Sequence, residues 1–457
     1  MISRIRTLFS GGDLTARLSR TTLFSLAGFA TENLVRLAGN LVLTRLLFPE
    51  AFGLMAIVTV VMSGLAMISD IGIRPSIIQS ARGKDLVFLN TAWTIQVIRS
   101  LILFAIAWAI AAPVAAFYEE PLLAEMLPVA GLLPLMMGFA STRMSTANRD
   151  LQLGRLTLLS IGAQIAGLIL TIILAYWFRS VWALLWGMLL TPLLLATLSH
   201  VVLPGNRDRL QFEWAAAREL FSFGIYIFIA TVAGFLVQHG DRVVLGKFVS
   251  LEDLALYNIA LFLAMVPRLL SSKLIDVVFL PLYVQKPPAE SADNRRKVIK
   301  VRFVITGFLL AMAFVFGALG DWLIVLLYDV RYEAAGPIMV LIAIAQMPVL
   351  ITASYDRLAI AVGETRNFAI IVICLAVIRV SVLLVATMHF GVVGAAFAAL
   401  PSTLLHYPIL IAMTRKYKCW SPLHDVLYLL LAAALAAIVI WLNAEALAPL
   451  FVGLGAR

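Results

Sequence analysis

A chain of 457 residues that is 62% hydrophobic and only 13% charged, with a mean hydropathy of +0.99, does not have the surface of a water-soluble protein. Lipid is the alternative solvent, and a helix that crosses it needs about 20 mostly apolar residues. The net charge of +10 raises the question of nucleic acid, but the placement of the charges argues against it. The two cysteines, Cys374 and Cys419, share no metal or redox spacing.

Residues 1–20 carry Arg4, Arg6, Arg17 and Arg20 ahead of an apolar segment that runs to about Thr44. That run is too long for a signal-peptide core, and no small-x-small cleavage site follows it. It reads as a retained first helix with its amino end in the cytoplasm. Apolar runs of spanning length fall at 21–44, 53–69, 91–117, 122–141, 156–177, 181–203, 220–240, 254–275, 302–328, 335–354, 367–388, 391–413 and 424–443. Thirteen spans are therefore predicted, with residues 444–457 marginal for a fourteenth.

Between the first two runs lies Leu43–Ile57, LTRLLFPEAFGLMAI, and 202 positions later Leu245–Ile259 reads LGKFVSLEDLALYNI. Leu43/Leu245, Glu50/Glu252, Leu54/Leu256 and Ile57/Ile259 are identical, and each stretch breaks a pair of apolar runs. FYEEP at Phe117–Pro121 finds a weaker echo in LYDVR at Leu327–Arg331. An internal repeat in a membrane protein points to a transporter. Six runs precede the polar stretch 204–219, so the halves share one topology and are expected to be related by an axis along the membrane normal. The fold class read from this is an all-α polytopic membrane protein. It has a basic cytoplasmic segment at 1–20, a six-helix bundle at 21–203, a cytoplasmic connecting loop at 204–219, a second six-helix bundle at 220–413 and a helix or short hairpin at 414–457.

With the amino end inside, 24 Lys and Arg residues fall in cytoplasmic segments, among them six in Lys286–Arg302. Only Arg45, Arg179, Arg242, Lys247 and Arg331 fall opposite. That asymmetry is what the positive-inside rule requires, so the basic balance is topological first. Contact with anionic phospholipids follows from it.

The loop RLLFPEAFGL, the segment Ser69–Gln79 (SDIGIRPSIIQ) and NTAW at Asn90–Trp93 together resemble the polysaccharide-exporting branch of a flippase superfamily that also holds the multidrug and toxic-compound exporters. In the second half His239–Phe248 (HGDRVVLGKF) followed by ALYNIA at Ala255–Ala260 is similar to the family's Asp-Arg/Lys then Gly-x-Tyr pattern. The resemblance covers most of residues 20–415. It implies a twelve-helix core of two six-helix bundles with an optional terminal pair. It also implies alternating-access transfer of a lipid-linked oligosaccharide of the polyprenyl-phosphate type from the cytoplasmic to the periplasmic leaflet of the bacterial inner membrane. A polysaccharide polymerase and export machinery are the protein partners this implies; no cofactor is.

A charge at the centre of a span costs roughly 2.5–3.5 kcal/mol on insertion scales, so each needs a reason. In the first helix Glu32, Arg36 and Asn40 stack at i, i+4 spacing on one face. Either Glu32 and Arg36 merely neutralise each other, or the stripe lines a water-filled cavity in which Arg36 meets a pyrophosphate or acidic sugar. The continuation through Asn40 and Thr44, and the repeat partner Gln238 of Arg36, favour the cavity. Arg99 admits snorkelling as readily as substrate contact. Arg268, after Pro267, has no local acid and is the better substrate candidate, whereas Lys273 has Asp276 one turn on. Arg379 is the most isolated charge, suited to an anionic lipid or to a polyprenyl phosphate headgroup. Asp70 and the Asp241–Arg242 pair close spans, which favours capping and loop pairing. Glu32, Asp70 and Asp241 are the acids that could bind a coupling proton or sodium ion. Gly28, Gly39, Gly64 and Gly234 read as close helix contacts, and Pro128, Pro134, Pro267 and Pro348 as sites of kinks.

Three functions compete. A flippase for a lipid-linked oligosaccharide suits central charges that are mostly arginine, whose fork binds phosphate oxygens. An ion-coupled exporter of drugs or small metabolites would show more unpaired carboxylates. A membrane-embedded sugar polymerase or ligase would want a large periplasmic loop with catalytic groups, and the long polar loop here (Gln285–Lys300) is cytoplasmic; no metal cluster, phosphate loop or triad accompanies it.

Overall fold

The structure, a computed structural model, describes residues 14–70, 72–150, 152–356 and 358–455. Arg4, Arg6 and Arg357, counted above on the basic side, lie outside the described residues. The regular elements described are all helical. The first half holds α1 (Leu14–Leu46), α2 (Pro49–Ile68), α3 (Ile73–Gln79), α4 (Leu86–Tyr118), α5 (Leu123–Ala130), α6 (Leu132–Gly138), α7 (Arg143–Arg149), α8 (Leu153–Phe178) and α9 (Val181–Val201). The second begins with α10 (Trp214–Phe248), α11 (Leu251–Ala264), α12 (Val266–Leu274), α13 (Leu280–Gln285), α14 (Ala292–Ala318) and α15 (Gly320–Leu327). It continues with α16 (Ala335–Thr352), α17 (Leu358–Ala361), α18 (Thr365–Phe397), α19 (Ala399–Lys416), α20 (Pro422–Leu442) and α21 (Ala444–Gly455).

Each of the thirteen apolar runs is covered by one helix or by two in succession. By length and apolarity alone, eight helices among the described residues qualify as membrane spans, or ten when two bent pairs are counted. α1 is not among them, because Glu32, Arg36 and Asn40 interrupt its apolar run. One bent pair, turned by 45°, breaks between α11 and α12 next to Pro267; the other, at 54°, joins Leu123–Gly138 to α7. The predicted gap between the eleventh and twelfth runs is instead a break inside α18 at Gly391, whose φ of 55° a residue with a side chain rarely adopts. The twelve helical residues of α21 reach about 18 Å, well short of a hydrocarbon core of about 30 Å.

The repeat is visible in helix ends. α1 stops at Leu46 and α2 starts at Pro49; 202 positions on, α10 stops at Phe248 and α11 starts at Leu251. Both two-residue breaks precede an acidic first turn, Glu50 in α2 and Glu252 with Asp253 in α11, where a carboxylate complements the helix dipole.

Two compact units divide the chain. The first comprises Met1–Leu47 and Val58–Thr231. In it α1 lies against α8 so closely that a Cβ on Gly28 would come within 2.4 Å of Thr157, and one on Gly39 within 2.5 Å of Leu168. These two glycines are the helix contacts expected of them; Gly234 is not, since a Cβ there would meet only Gln238 of its own helix.

The second unit comprises Phe48–Ile57 and Val232–Arg457, and α16 is its central helix, buried over nearly its whole length. The repeat loop enters this unit. Phe52 meets the Tyr332 ring edge-on at 6.1 Å, and the Arg331 guanidinium stands 5.3 Å above the Phe48 ring. A Cβ on Gly53 would fall 2.0 Å from the Leu251 carbonyl oxygen, a backbone atom that cannot swing aside. Gly53→Val is therefore expected to cost roughly 1–3 kcal/mol of stability. A thermal-unfolding comparison in detergent would read this as a lowered midpoint, and an unchanged midpoint would refute the close approach.

Candidate functional site

Among the charges predicted to lie in spans, those of the first unit divide into free and fastened. On α1, Arg36 is exposed and Glu32 and Asn40 are half-buried. No ion pair joins Glu32 to Arg36 among the described residues, so the self-neutralising pair is not formed. Gln164 of α8 donates to the Glu32 carbonyl at 3.0 Å, and Thr44 turns back on the Asn40 carbonyl at 2.9 Å, so α1 holds its polar stripe by backbone contacts and leaves the side chains open.

Arg99 is fastened. Its Nη2 donates to the Ala66 carbonyl at 2.7 Å and, with Nε, to Ser69 Oγ at 2.8 and 3.1 Å. It thus supplies positive charge to the carbonyl end of α2, a helix-stabilising position. Asp70 lies near enough to attract it, and Asp70 Oδ1 accepts from the Gly72 amide at 3.0 Å. Asp70 therefore caps its own turn, as its place at the end of a span suggested.

The second unit gathers the remaining candidates. Asp241 is buried and accepts from the Tyr257 hydroxyl at 2.8 Å. It does not close a helix, contrary to the sequence expectation. The apolar run stops near Gly240, but nothing breaks the helix until Ser250, so α10 continues through Asp241 to Phe248. Arg242, counted above as a loop cation, is likewise inside α10, where Nε donates to Asn258 Oδ1 at 2.6 Å and Nη1 meets His239 Nδ1 at 3.2 Å. Gln238, one turn back, is exposed.

Arg268 on α12 donates from Nη1 to Gln346 Oε1 at 3.3 Å. Gln346 is 4% exposed on the otherwise apolar α16, so it offers a fixed acceptor. Arg379 on α18 lies close enough to repel the Arg268 guanidinium, while Asp356 and Asp241 attract it. Arg379 is thus not isolated; it joins the Arg268, Tyr257 and Asp241 group through space. A guanidinium has five N–H donors, and Arg268 uses one.

A second buried network was missed in the sequence. Arg302 of α14 and Asp425 of α20 are both 0% exposed and paired at 3.0 Å. Asp425 also accepts from the hydroxyls of Tyr355 at 2.9 Å and Tyr407 at 2.7 Å, and lies 2.8 Å from His424 Nδ1. Arg302 donates to Ser354 Oγ at 2.8 Å and packs 3.9 Å from the centre of the Tyr355 ring. Arg302 had been counted with the basic loop. Reading the helix phase from the Ser291 cap would have found it, since Val298, Arg302 and Thr306 recur at i, i+4 on the buried stripe of α14.

Comparison with known proteins now decides the family, because the polysaccharide biosynthesis protein family matches residues 42–337, well over half the chain. The chain belongs to that family. The chain is 24% identical over 308 residues to the succinoglycan biosynthesis transport protein ExoT of Rhizobium meliloti, covering 67% of this chain and 61% of ExoT. It is 24% identical over 254 residues to the amylovoran biosynthesis protein AmsL of Erwinia amylovora, covering 54% of this chain and 64% of AmsL. The matched part is under two-thirds of the length of either relative. In fold it is similar to the lipid II flippase MurJ (TM-score 0.67, 11% identity, 93% of this chain and 99% of that one). It is also similar to a multidrug resistance MATE family transporter (TM-score 0.63, 14% identity, 85% and 96%). The chain is thus a multi-pass membrane protein, all-helical among the described residues, with a fold similar to that of MurJ and the MATE transporter.

Proposed function

We propose that this protein moves a lipid-linked oligosaccharide of the polyprenyl-phosphate type from the cytoplasmic to the periplasmic leaflet of the bacterial inner membrane by alternating access, its amino end in the cytoplasm. The observation that carries the reading is Arg268, which gives one hydrogen bond, to neutral Gln346, keeps donors to spare and feels the positive charge of Arg379. Asp356 and Asp241 offset part of the repulsion by Arg379, and a phosphate or pyrophosphate fits the fork of arginine donors left free. The polyprenyl tail stays in lipid, so only the headgroup has to cross. Glu32, Arg36 and Asn40 of the first unit are polar side chains suited to a sugar, and so, by itself, is Gln238 of the second. Of the three acids considered for ion coupling, Asp241 suits best, because it is buried, while Asp70 is exposed and serves its own turn. The two-bundle arrangement, with halves 21–203 and 220–413 and a terminal segment 414–457, is part of this reading and is supported by the repeated helix ends. No chemical step is assigned to any side chain, and the protein is read as a transporter, not an enzyme.

The reading is tested on lipid extracts from cells lacking the gene. A lipid-linked oligosaccharide is expected to accumulate and to be cleared by the intact gene, with mass spectrometry identifying the sugar. If the upstream pathway runs and nothing accumulates, the flippase reading is wrong, and ion-coupled efflux of small molecules becomes the better one.

A further inference from the structure

The stretch between α9 and α10 was expected to be a polar connecting loop. It is instead an ordered, two-faced strand of chain laid along the start of α4. Asn90 Oδ1 accepts from the Arg209 amide at 3.1 Å, Thr94 Oγ1 from the Gln211 amide at 3.0 Å, and Thr91 Oγ1 from the Glu213 amide at 3.1 Å. Thr94 Oγ1 also donates to the Gln211 carbonyl at 2.9 Å, and Asn90 Nδ2 to the Gln211 side chain at 2.9 Å. Asn90 and Thr91 open the NTAW motif, and this is the work they do.

The hydrogen-bonded segment leaves three large apolar side chains facing out, Leu210 and Phe212 within it and Trp214 at the start of α10. They are 71%, 53% and 74% exposed. The charges sort the same way. Asp208 accepts from Ser141 Oγ at 2.5 Å and from Thr142, Glu213 pairs with Arg82 at 2.6 Å, and Glu219 accepts from Ser80 at 2.6 Å. The acids of the segment are therefore engaged by the protein. Arg207, Arg209 and Arg218 remain exposed. At the base of this clamp the Asp85 carboxyl, outside the spans, is held below its usual value by Arg82 and then by the Val87 amide. It stays ionised at neutral pH, and the clamp weakens only as pH falls through that lowered value.

We propose that the Leu210–Phe212–Trp214 face is a membrane anchor, lying in the headgroup region of an anionic leaflet with Arg207, Arg209 and Arg218 on the lipid phosphates. Two observations name the occupant. The face is continuous with the lipid-exposed ends of the flanking helices, where Val201, Val202 and Phe221 are exposed. An outward combination of aromatic and aliphatic side chains with arginines matches what binds at an anionic bilayer interface. The inference rests on the multi-pass membrane reading but not on the transported substrate, so its failure leaves the flippase proposal standing.

The test uses the full chain in vesicles, with Cys374 replaced by serine and Cys419 left in place because it is buried. Spin labels are placed at Phe212→Cys and, as an aqueous control, at Glu290→Cys. Relaxation by oxygen is compared with relaxation by a water-soluble nickel chelate. In phosphatidylcholine vesicles containing phosphatidylglycerol, the oxygen-to-nickel ratio at position 212 is expected to be several-fold that at 290, and higher than in phosphatidylcholine alone. Changing Arg207, Arg209 and Arg218 together to glutamine should abolish the difference between the two lipids. A label at 212 as open to nickel as the one at 290 in both lipids would overturn the proposal. So would protection that appears only when a cell extract is added, which would mean that a protein covers the face.

Discussion

Asp425→Ala is expected to cost about 3–5 kcal/mol of stability, because it strands a buried guanidinium. Arg302 is wholly enclosed, its partner across the pair is Asp425, and the same carboxylate is the acceptor for Tyr355 and Tyr407. Removing it leaves the buried Arg302 without its counter-charge and takes the acceptor from the Tyr355 and Tyr407 hydroxyls. The affected contact ties α20 to α14, where Tyr428 also donates to the Phe303 carbonyl at 2.6 Å. Loss of the carboxylate should therefore loosen α20 from the unit. Thermal unfolding in detergent would show a strongly lowered midpoint, or little folded protein at all. Asp425→Asn keeps the shape and one acceptor but not the charge. If charge dominates, Arg302→Met combined with Asp425→Asn will be more stable than Asp425→Asn alone, which a double-mutant cycle can read. A parent-like midpoint for Asp425→Ala would show that the pair is not buried as described.

The contrast between this pair and the spans shows what the sequence made legible. Hydropathy reports which stretches avoid water, so all thirteen runs found helices. The repeated loop announced helix ends that recur 202 positions apart. Hydropathy does not report which face of a helix meets which neighbour. Arg302 and Asp425 are 123 positions apart, and nothing local to either names the other. The same blindness affected Asp241, where the end of an apolar run was taken for the end of a helix; the backbone carries on because Asp241, Arg242 and their successors include no breaker. In the sequence Arg99 admits snorkelling as readily as substrate contact, and its engagement with the end of α2 depends on helix packing that the sequence does not display. Arg268 has no acid close by in sequence; in the fold its hydrogen-bond partner Gln346 is neutral, while Asp356 and Asp241, distant in sequence, attract it.

Arg268→Ala is expected to slow transfer of a lipid-linked oligosaccharide in reconstituted vesicles by roughly 10- to 100-fold. This is the size of a lost charge-assisted hydrogen bond of about 1.5–3 kcal/mol. Arg268→Lys should recover only part of the rate, because an ammonium is a point charge and does not reproduce the planar fork. Arg379→Ala should act in the same direction. The double variant should fall short of the summed effects if both guanidiniums hold one anion. Stability separates this from a structural role. The half-buried Arg268 gives one hydrogen bond, to a neutral partner, and is attracted by Asp356 and Asp241 while Arg379 repels it, so the fold gains little from its charge. Arg268→Ala should therefore unfold near the parent's midpoint. A slowed rate with an undiminished midpoint is the signature of a group kept for its ligand. A lowered midpoint with an unchanged rate per folded molecule would instead make Arg268 a packing residue and remove the main support for an anionic substrate.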